Sequence, residues 1–447
     1  MSIALPEGFV LGASTSAQQI EGAVRADGRG PSIWDTFAAQ PGRIADGSTA
    51  DVACDHYHRV EEDLALMADL GLGGYRFSIA WPRVVPDGGT SPDAVNAAGL
   101  DFYDRLVDRL LAAEIAPMAT LYHWDLPQPL QDRGGWLARE TVDAFAAYTE
   151  AVTARLADRV AYWCPVNEPN VHALSGHALG VHAPGERLLF GALAVVHHLL
   201  LGHGRAVEAL RGAGAVAVGT ANNHTPVWPV AETEEDLAAA ALYDAIHNGS
   251  VAAPVLAGRY PDLVAELVPV QPGDLETIAA PLDFYGVNYY NPTRVGRPGH
   301  VSASGRAEGF DDDAASQVPL SIHDVEGYPR TDMGWPVVPD GLREVLVGLA
   351  RTYDLPPVHV TENGCAHAAL DDTFRVDYLQ SHLRAVVDAV AEGVDVRGYW
   401  TWSLLDNWEW AEGFGPRFGL VHVDERTQRR TPRTSYTWYR ELARSLR

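Results

Sequence analysis

Eight short apolar runs alternate with amphipathic stretches along the 447 residues, and this alternation limits the fold more than any single motif. The runs are 9–14, 74–79, 116–122, 160–166, 215–221, 282–288, the segment opening at Val358, and 396–402. Their length and apolar content predict buried strands. Between them lie helical patterns at 51–70, which stops at Gly71, and at 141–158, 188–212, 234–247, 340–353 and 374–393. A further helix is capped by Asn96 and presents Leu100, Tyr103, Val107 and Leu110 on one face, and a last one covers 435–446. Strand and helix alternating eight times is the pattern of a (β/α)8 TIM barrel with long loops on its C-terminal face. No linker or shift of composition divides 1–447, so one domain is expected. The stretch 294–334, rich in Gly, Ser, Asp and Pro, follows strand six and reads as a lid or binding loop.

Composition narrows the partners. The formal net charge is −26, and lysine is absent, so every non-histidine cation is arginine. Nucleic acid and anionic membrane need clustered positive charge, and neither is expected as a partner. Cys54, Cys164 and Cys365 are odd in number and widely spaced, which does not make a disulfide framework. No Cys or His spacing suits zinc, and no metal or cofactor is expected. Asp55-His56-Tyr57-His58 lacks a third ligand and reads as capping or core contact. Free thiols, the absence of a basic-then-apolar N-terminus, and no run of membrane-spanning length point to a soluble cytoplasmic protein. Oligomeric state is not legible.

Two glutamates carry the chemistry. In Val358-His359-Val360-Thr361-Glu362-Asn363-Gly364 an apolar strand ends at an acid and a turn signal. Alone, Glu362 reads as an ion-paired structural acid. Glu168, in Asn167-Glu168-Pro169, ends strand four in the same way. Barrel active sites draw on the C-terminal ends of different strands, so the fold can bring the two together. Two facing carboxyls, one protonated and one ionised, are the equipment for glycoside cleavage. Arg76 ends strand two and favours an anionic Glu362, which makes Glu362 the better nucleophile and Glu168 the better acid. His123-Trp124-Asp125, Asn288-Tyr289-Tyr290, Trp402 and 406–410 supply aromatic and amide groups at neighbouring strand ends, suited to a sugar's apolar face and hydroxyls. Glu21 and Glu412 face no second acid in this pattern and read as structural.

Taken together, Tyr75-Arg76-Phe77-Ser78, 121–127, Asn167-Glu168-Pro169, Asn288-Tyr289-Tyr290, Gly334-Trp335, Thr361-Glu362-Asn363-Gly364 and 402–407 resemble family 1 of the glycoside hydrolases, the β-glucosidases and β-galactosidases. The resemblance runs from Phe9 to Tyr439. It implies a glycone pocket of Gln19, His123, Trp124, Asn167, Glu409 and Trp410, with Trp402 as its stacking floor. It implies Asn288 and Tyr290 beside the nucleophile, with Tyr290 donating to Glu362, Trp335 on the aglycone side and Phe418 at the border. The chain departs from the family pattern at Leu11, Gln18, Cys164-Pro165-Val166 and Trp408. Gln18 replaces a common tyrosine, which leaves Gln19 as the aligned sugar ligand. Glu409 stands where members acting on 6-phosphorylated sugars carry a small residue, so free β-glycosides or short oligosaccharides are the expected substrates. The implied activity is that of an exo-acting retaining β-glucosidase without a cofactor, with side activity on β-galactosides or β-fucosides. A transglycosylase, an endo-acting glycosidase of the same barrel clan, and a catalytically silent sugar-binding protein are the alternatives.

Overall fold

Eight parallel strands form the ring that carries the site: β1 (Val10–Ser14), β2 (Gly74–Ser78), β3 (Ala116–Tyr122), β4 (Tyr162–Val166), β5 (Asn222–Asn223), β6 (Tyr285–Asn288), β7 (Val358–Asn363) and β8 (Val396–Trp402). The computed structural model describes residues 3–298 and 319–446. Neighbours run β4-β3-β2-β1-β8-β7-β6-β5. The ring closes between β4 and the chain just ahead of β5. Trp163 N donates to Ala217 O at 2.9 Å, Gly219 N to Trp163 O at 2.9 Å, and Glu168 N to Ala221 O at 2.8 Å.

The outer layer is α1 (His56–Leu70), α2 (Ala97–Ala112), α3 (Glu140–Leu156), α4 (Leu193–Gly212), α5 (Glu234–Asp244), α6 (Pro339–Thr352), α7 (Thr373–Ala391) and α8 (Thr434–Ser445). All but α5 turn an apolar stripe inward, whereas α5 buries Asp236, Ala239 and Ala240 and packs its alanines against Val295 and Leu320. In α2 the stripe is Leu100, Tyr103, Val107 and Leu110, together with Leu106. Inside the ring, Met118, Cys164, Ala221, Phe284 and Trp400 pack as a plug beneath the strand ends. Trp400 leaves no space for a side chain on β1: a Cβ on Gly12 would stand 2.5 Å from the indole and 2.7 Å from Gly74 O. Among the described residues no helix is long and apolar enough to cross a membrane.

Several expectations change. The fifth strand, predicted at 215–221, is regular only at Asn222–Asn223, with single bridges at Val218, Gly219 and Ala221. The cause is local: Gly286 N donates to the Thr220 hydroxyl at 3.0 Å, so a side chain stands in the ladder. Asn96 occupies the cap position of α2, but its amide donates to Asp27 O and Arg83 O and ties two loops together. Helix α1 begins at His56 because Asp55 is left-handed at φ 52°. The helix expected at 234–247 ends at Asp244 and passes through a wide π-helical turn, Ala245–Gly249, into Ser250–Ala257. Of the 294–334 stretch, 299–318 lie outside the described residues, so its reading as a lid stays an expectation. Its flanks are ordered as strands Thr293–Gly296 and Ser321–His323, in a small sheet with Val227–Pro229.

Candidate active site

Glu362 lies near the end of β7, a strand buried along its whole length. A carboxylate there must be compensated. Arg76, fully buried on β2, places Nη1 2.5 Å from Glu362 Oε1, and the Tyr290 hydroxyl donates to Oε2 at 2.8 Å. Each oxygen therefore has a donor, and the anion is the form that accepts both. Arg76 also donates through Nη2 to Asn167 Oδ1 at 2.6 Å and through Nε to Thr120 Oγ1 at 3.1 Å, so one guanidinium links β2, β3, β4 and β7.

Glu168 follows β4 in a left-handed conformation, φ 44° and ψ 61°, with Pro169 opening a short helix behind it. Trp124 and Trp410 share positive φ, at 72° and 53°. Such backbone costs a non-glycine residue about 1–3 kcal/mol and gathers at functional sites. Glu168 Oε1 accepts two amides, Asn288 Nδ2 at 2.8 Å and Asn223 Nδ2 at 3.0 Å. Burial first, and the charge of Glu362 second, push the Glu168 carboxyl up to about 8, against the pull of the two amides and Arg76. One carboxyl is thus held proton-bearing beside another given donors for its anion, the pairing that acid and nucleophile roles need.

Glu409 resembles Glu168: burial, then Glu362, raise it to about 8. Gln19 Nε2 donates to Glu409 Oε2 at 3.2 Å and to Asn407 Oδ1 at 3.0 Å. Gln18 is instead engaged with Arg29, Ser32 and Asp35. Burial holds His123 well below its usual range and so neutral, with Asn167 Nδ2 3.0 Å from its Nε2. Trp124 donates to Asn167 O at 2.9 Å and lies 4.7 Å from the Trp410 ring. His123 is near-parallel to Trp402 at 5.9 Å. Opposite, Trp335 sits 5.5 Å from Tyr290 and 6.0 Å from Phe418.

These groups surround a cavity of about 530 Å³. Of the residues anticipated from sequence, Glu168, Glu362, His123, Trp124, Tyr290, Trp335, Trp402, Glu409, Trp410 and Phe418 form its wall. Gln19, Asn167, Asn288 and Arg76 join that wall through hydrogen bonds to Glu409, His123, Glu168 and Glu362 respectively. Trp408 faces the core, edge-on to Trp34, and Leu11 is likewise buried in packing.

Sequence reasoning missed Asn223, His182, Thr225 and His247, all on the wall, and it read Glu412, also on the wall, as structural. Asn222-Asn223 ends a barrel strand with amides much as Asn167 does, and that signal was available. Glu21 is structural as read: Arg83 and Tyr103 bind it in the core. His56 pairs with Asp63, which also binds Arg430. Among the described residues no group of His, Cys, Asp and Glu is arranged to hold a metal ion.

The profile of Glycosyl hydrolase family 1 matches residues 1–446. The chain belongs to that family. It is 46% identical to thermostable β-glucosidase B of Thermobispora bispora, over 99% of this chain and 91% of that one. It is 42% identical to the bifunctional β-D-glucosidase/β-D-fucosidase of Bifidobacterium breve, over 99% and 98%. The crystal structure of the psychrophilic β-glucosidase of Micrococcus antarcticus superposes with a TM-score of 0.93 at 44% identity, covering 99% of this chain and 98% of that one. The chain is accordingly a family 1 glycoside hydrolase, an enzyme of the retaining class built on a (β/α)8 barrel.

Proposed function

We propose that this family 1 hydrolase is an exo-acting β-glucosidase that removes terminal non-reducing β-D-glucosyl residues, with side activity on β-fucosides or β-galactosides. The relatives' activities support the class of substrate. In this reading residues 1–447 are one catalytic domain. Glu362 attacks the anomeric carbon while Glu168 protonates the leaving oxygen. The glycosyl ester removes the charge of Glu362, the Glu168 carboxyl becomes more acidic, and it then takes a proton from the attacking water. Gln19, His123, Trp124, Asn167, Glu409 and Trp410 hold the sugar over Trp402. Asn288 and Tyr290 steady the reacting carboxyls, Phe418 borders the pocket, and Trp335 meets the aglycone. No cofactor enters the steps.

The observation that carries this is the division of donors: a cation and a phenol on Glu362, two neutral amides on one oxygen of a raised Glu168, and both carboxyls on one cavity. Cytoplasmic action on cellulose-derived oligosaccharides belongs to the same proposal, supported by three free, buried thiols. The formal charge of −26 supports small glycosides, not nucleic acid or membrane, as partners. The test is Glu362→Ala with an activated β-glucoside. Turnover is lost, and azide restores it with a product of inverted configuration. An active variant, or rescue that yields no inverted azide adduct, overturns the nucleophile assignment.

A further inference from the structure

His247 sits outside every barrel strand, in the wide turn Ala245–Gly249, and no part of the proposed mechanism uses it. Wide π-turns inside helices are often found at functional sites. Its ring lies parallel to Tyr243, 7° between planes at 5.5 Å, and its carbonyl accepts Asn170 Nδ2 at 2.8 Å. The imidazole is therefore fixed. Its Nε2 is 3.0 Å from Asn223 Oδ1, and Asn223 Nδ2 is 3.0 Å from Glu168 Oε1.

The direction of each bond follows from chemistry. Burial, then His224, hold the His247 ring neutral, with a pKa lowered to about 3, so it carries one N–H. Asn223 spends its amide N–H on Glu168, so its oxygen faces the imidazole. Nε2 must then be the nitrogen that bears hydrogen. The opposite amide orientation would need the imidazole proton on Nδ1 and would turn Asn223 Oδ1 towards Glu168 Oε1.

The second donor to Glu168 is fixed in the same manner. The Thr361 hydroxyl donates to Asn288 Oδ1 at 2.6 Å, which turns Asn288 Nδ2 towards Glu168 Oε1. Oε1 thus faces two N–H groups, whereas Oε2 accepts no hydrogen bond from the described residues. A proton on Oε1 would oppose both amides, so the acid carries it on Oε2.

We propose that His247 is a positioning residue which, through Asn223, confines the proton of Glu168 to Oε2, the oxygen open to the substrate. This rests on Glu168 being the acid. The charged and titratable groups facing Glu168 are Glu362 on β7, Arg76 on β2, Tyr290 beyond β6 and Glu409 beyond β8. Those facing His247 are Tyr243 on α5 and His224 beyond β5.

The test compares His247→Phe, His247→Gln, Asn223→Ala and Glu168→Gln on two substrates. An alkyl β-glucoside needs a proton on its leaving oxygen, and a dinitrophenyl β-glucoside does not. His247→Phe lowers kcat/KM for the alkyl glucoside by about 10–100-fold and leaves the dinitrophenyl glucoside within about twofold. The alkaline limb of its pH profile moves to higher pH, because an N–H that favoured the ionised Glu168 is no longer held in place. His247→Gln, which keeps a side-chain N–H, recovers most of the loss. Asn223→Ala shows the same split and the same displaced limb, and it carries the test if His247→Phe does not fold.

Parallel loss on both substrates with an unmoved limb, or wild-type behaviour, overturns the proposal. Glu168→Gln separates the two levels. If it shows the leaving-group split and the His247 and Asn223 variants do not, this inference alone fails. If Glu168→Gln shows no split, the acid assignment itself fails.

Discussion

Esterifying Glu362 should lower the pKa of Glu168 by about two, because the charge of Glu362 is the second largest cause of its elevation after burial. The size follows from Coulomb's law. Two unit charges about 5.5 Å apart, the spacing a retaining pair requires, interact by about 3 kcal/mol at an effective dielectric of about 20. That energy corresponds to about two pH units in a carboxyl pKa. Glu168 then moves from about 8 in the free enzyme to near 6 in the glycosyl-enzyme. The sign matches its two tasks: below about 8 the free enzyme holds the proton it must donate, and in the intermediate the same group is ionised at neutral pH and accepts one. The assay traps the enzyme with a 2-deoxy-2-fluoro-β-glucosyl fluoride and follows the Glu168 carboxyl carbon by NMR across pH, with Glu168→Gln to assign the resonance. The alkaline limb of kcat/KM for an alkyl glucoside should coincide with the free-enzyme midpoint. A midpoint that stays near 8 in the trapped enzyme would refute the reasoning, since burial alone would then set the proton affinity.

Three further outcomes are expected. Trp335→Ala raises KM for cellobiose about 3–10-fold through loss of one stacking contact. It leaves the trapping rate with the fluoro-sugar fluoride unchanged, and an equal effect on both would move Trp335 off the aglycone side. Gly12→Ala destabilises the fold by about 1–3 kcal/mol in urea titration, because the new methyl meets the Trp400 indole at 2.5 Å; an unchanged midpoint would contradict the packing of the barrel interior. The thiols of Cys164 and Cys365 are raised by burial to about 11 and about 12, and Cys54 is raised further. An aromatic disulfide reagent should therefore label none of the three cysteines in the native enzyme and all three in guanidinium, and labelling of the native protein would place at least one thiol in reach of solvent.

The strongest signals in the sequence were those that one strand can carry by itself. Val358 to Glu362 states both a buried strand and its end, and Asn167-Glu168-Pro169 states the same for β4. The partners of those acids were legible where they lie on a strand or just past one, as Arg76 within β2 and Tyr290 after β6 do. Asn223 stood directly after a predicted strand and was legible there as an amide; what the run could not show is that regular pairing begins only at Asn222, because a period of two cannot report the Thr220 hydroxyl that replaces a backbone acceptor. His247 was hidden for another reason: it sits in a turn that widens the helical period, so its direction cannot be projected from 3.6 residues per turn. Glu409 was placed by motif, yet its elevated carboxyl comes from burial beside Glu362, which only the folded distances create.

The short β5 has a mechanical consequence. β7 is paired on both sides, with β6 and β8, so the carboxylate of Glu362 is carried by a strand held from two directions. Glu168 hangs from the opposite joint, where its own N–H to Ala221 O is one of the few bonds that close the circle. Heat or denaturant should open that joint first. Such an enzyme loses its functions in sequence: hydrolysis of glycosides that need a proton disappears while attack on activated ones persists, and the order of failure is written in the unequal stitching of one barrel.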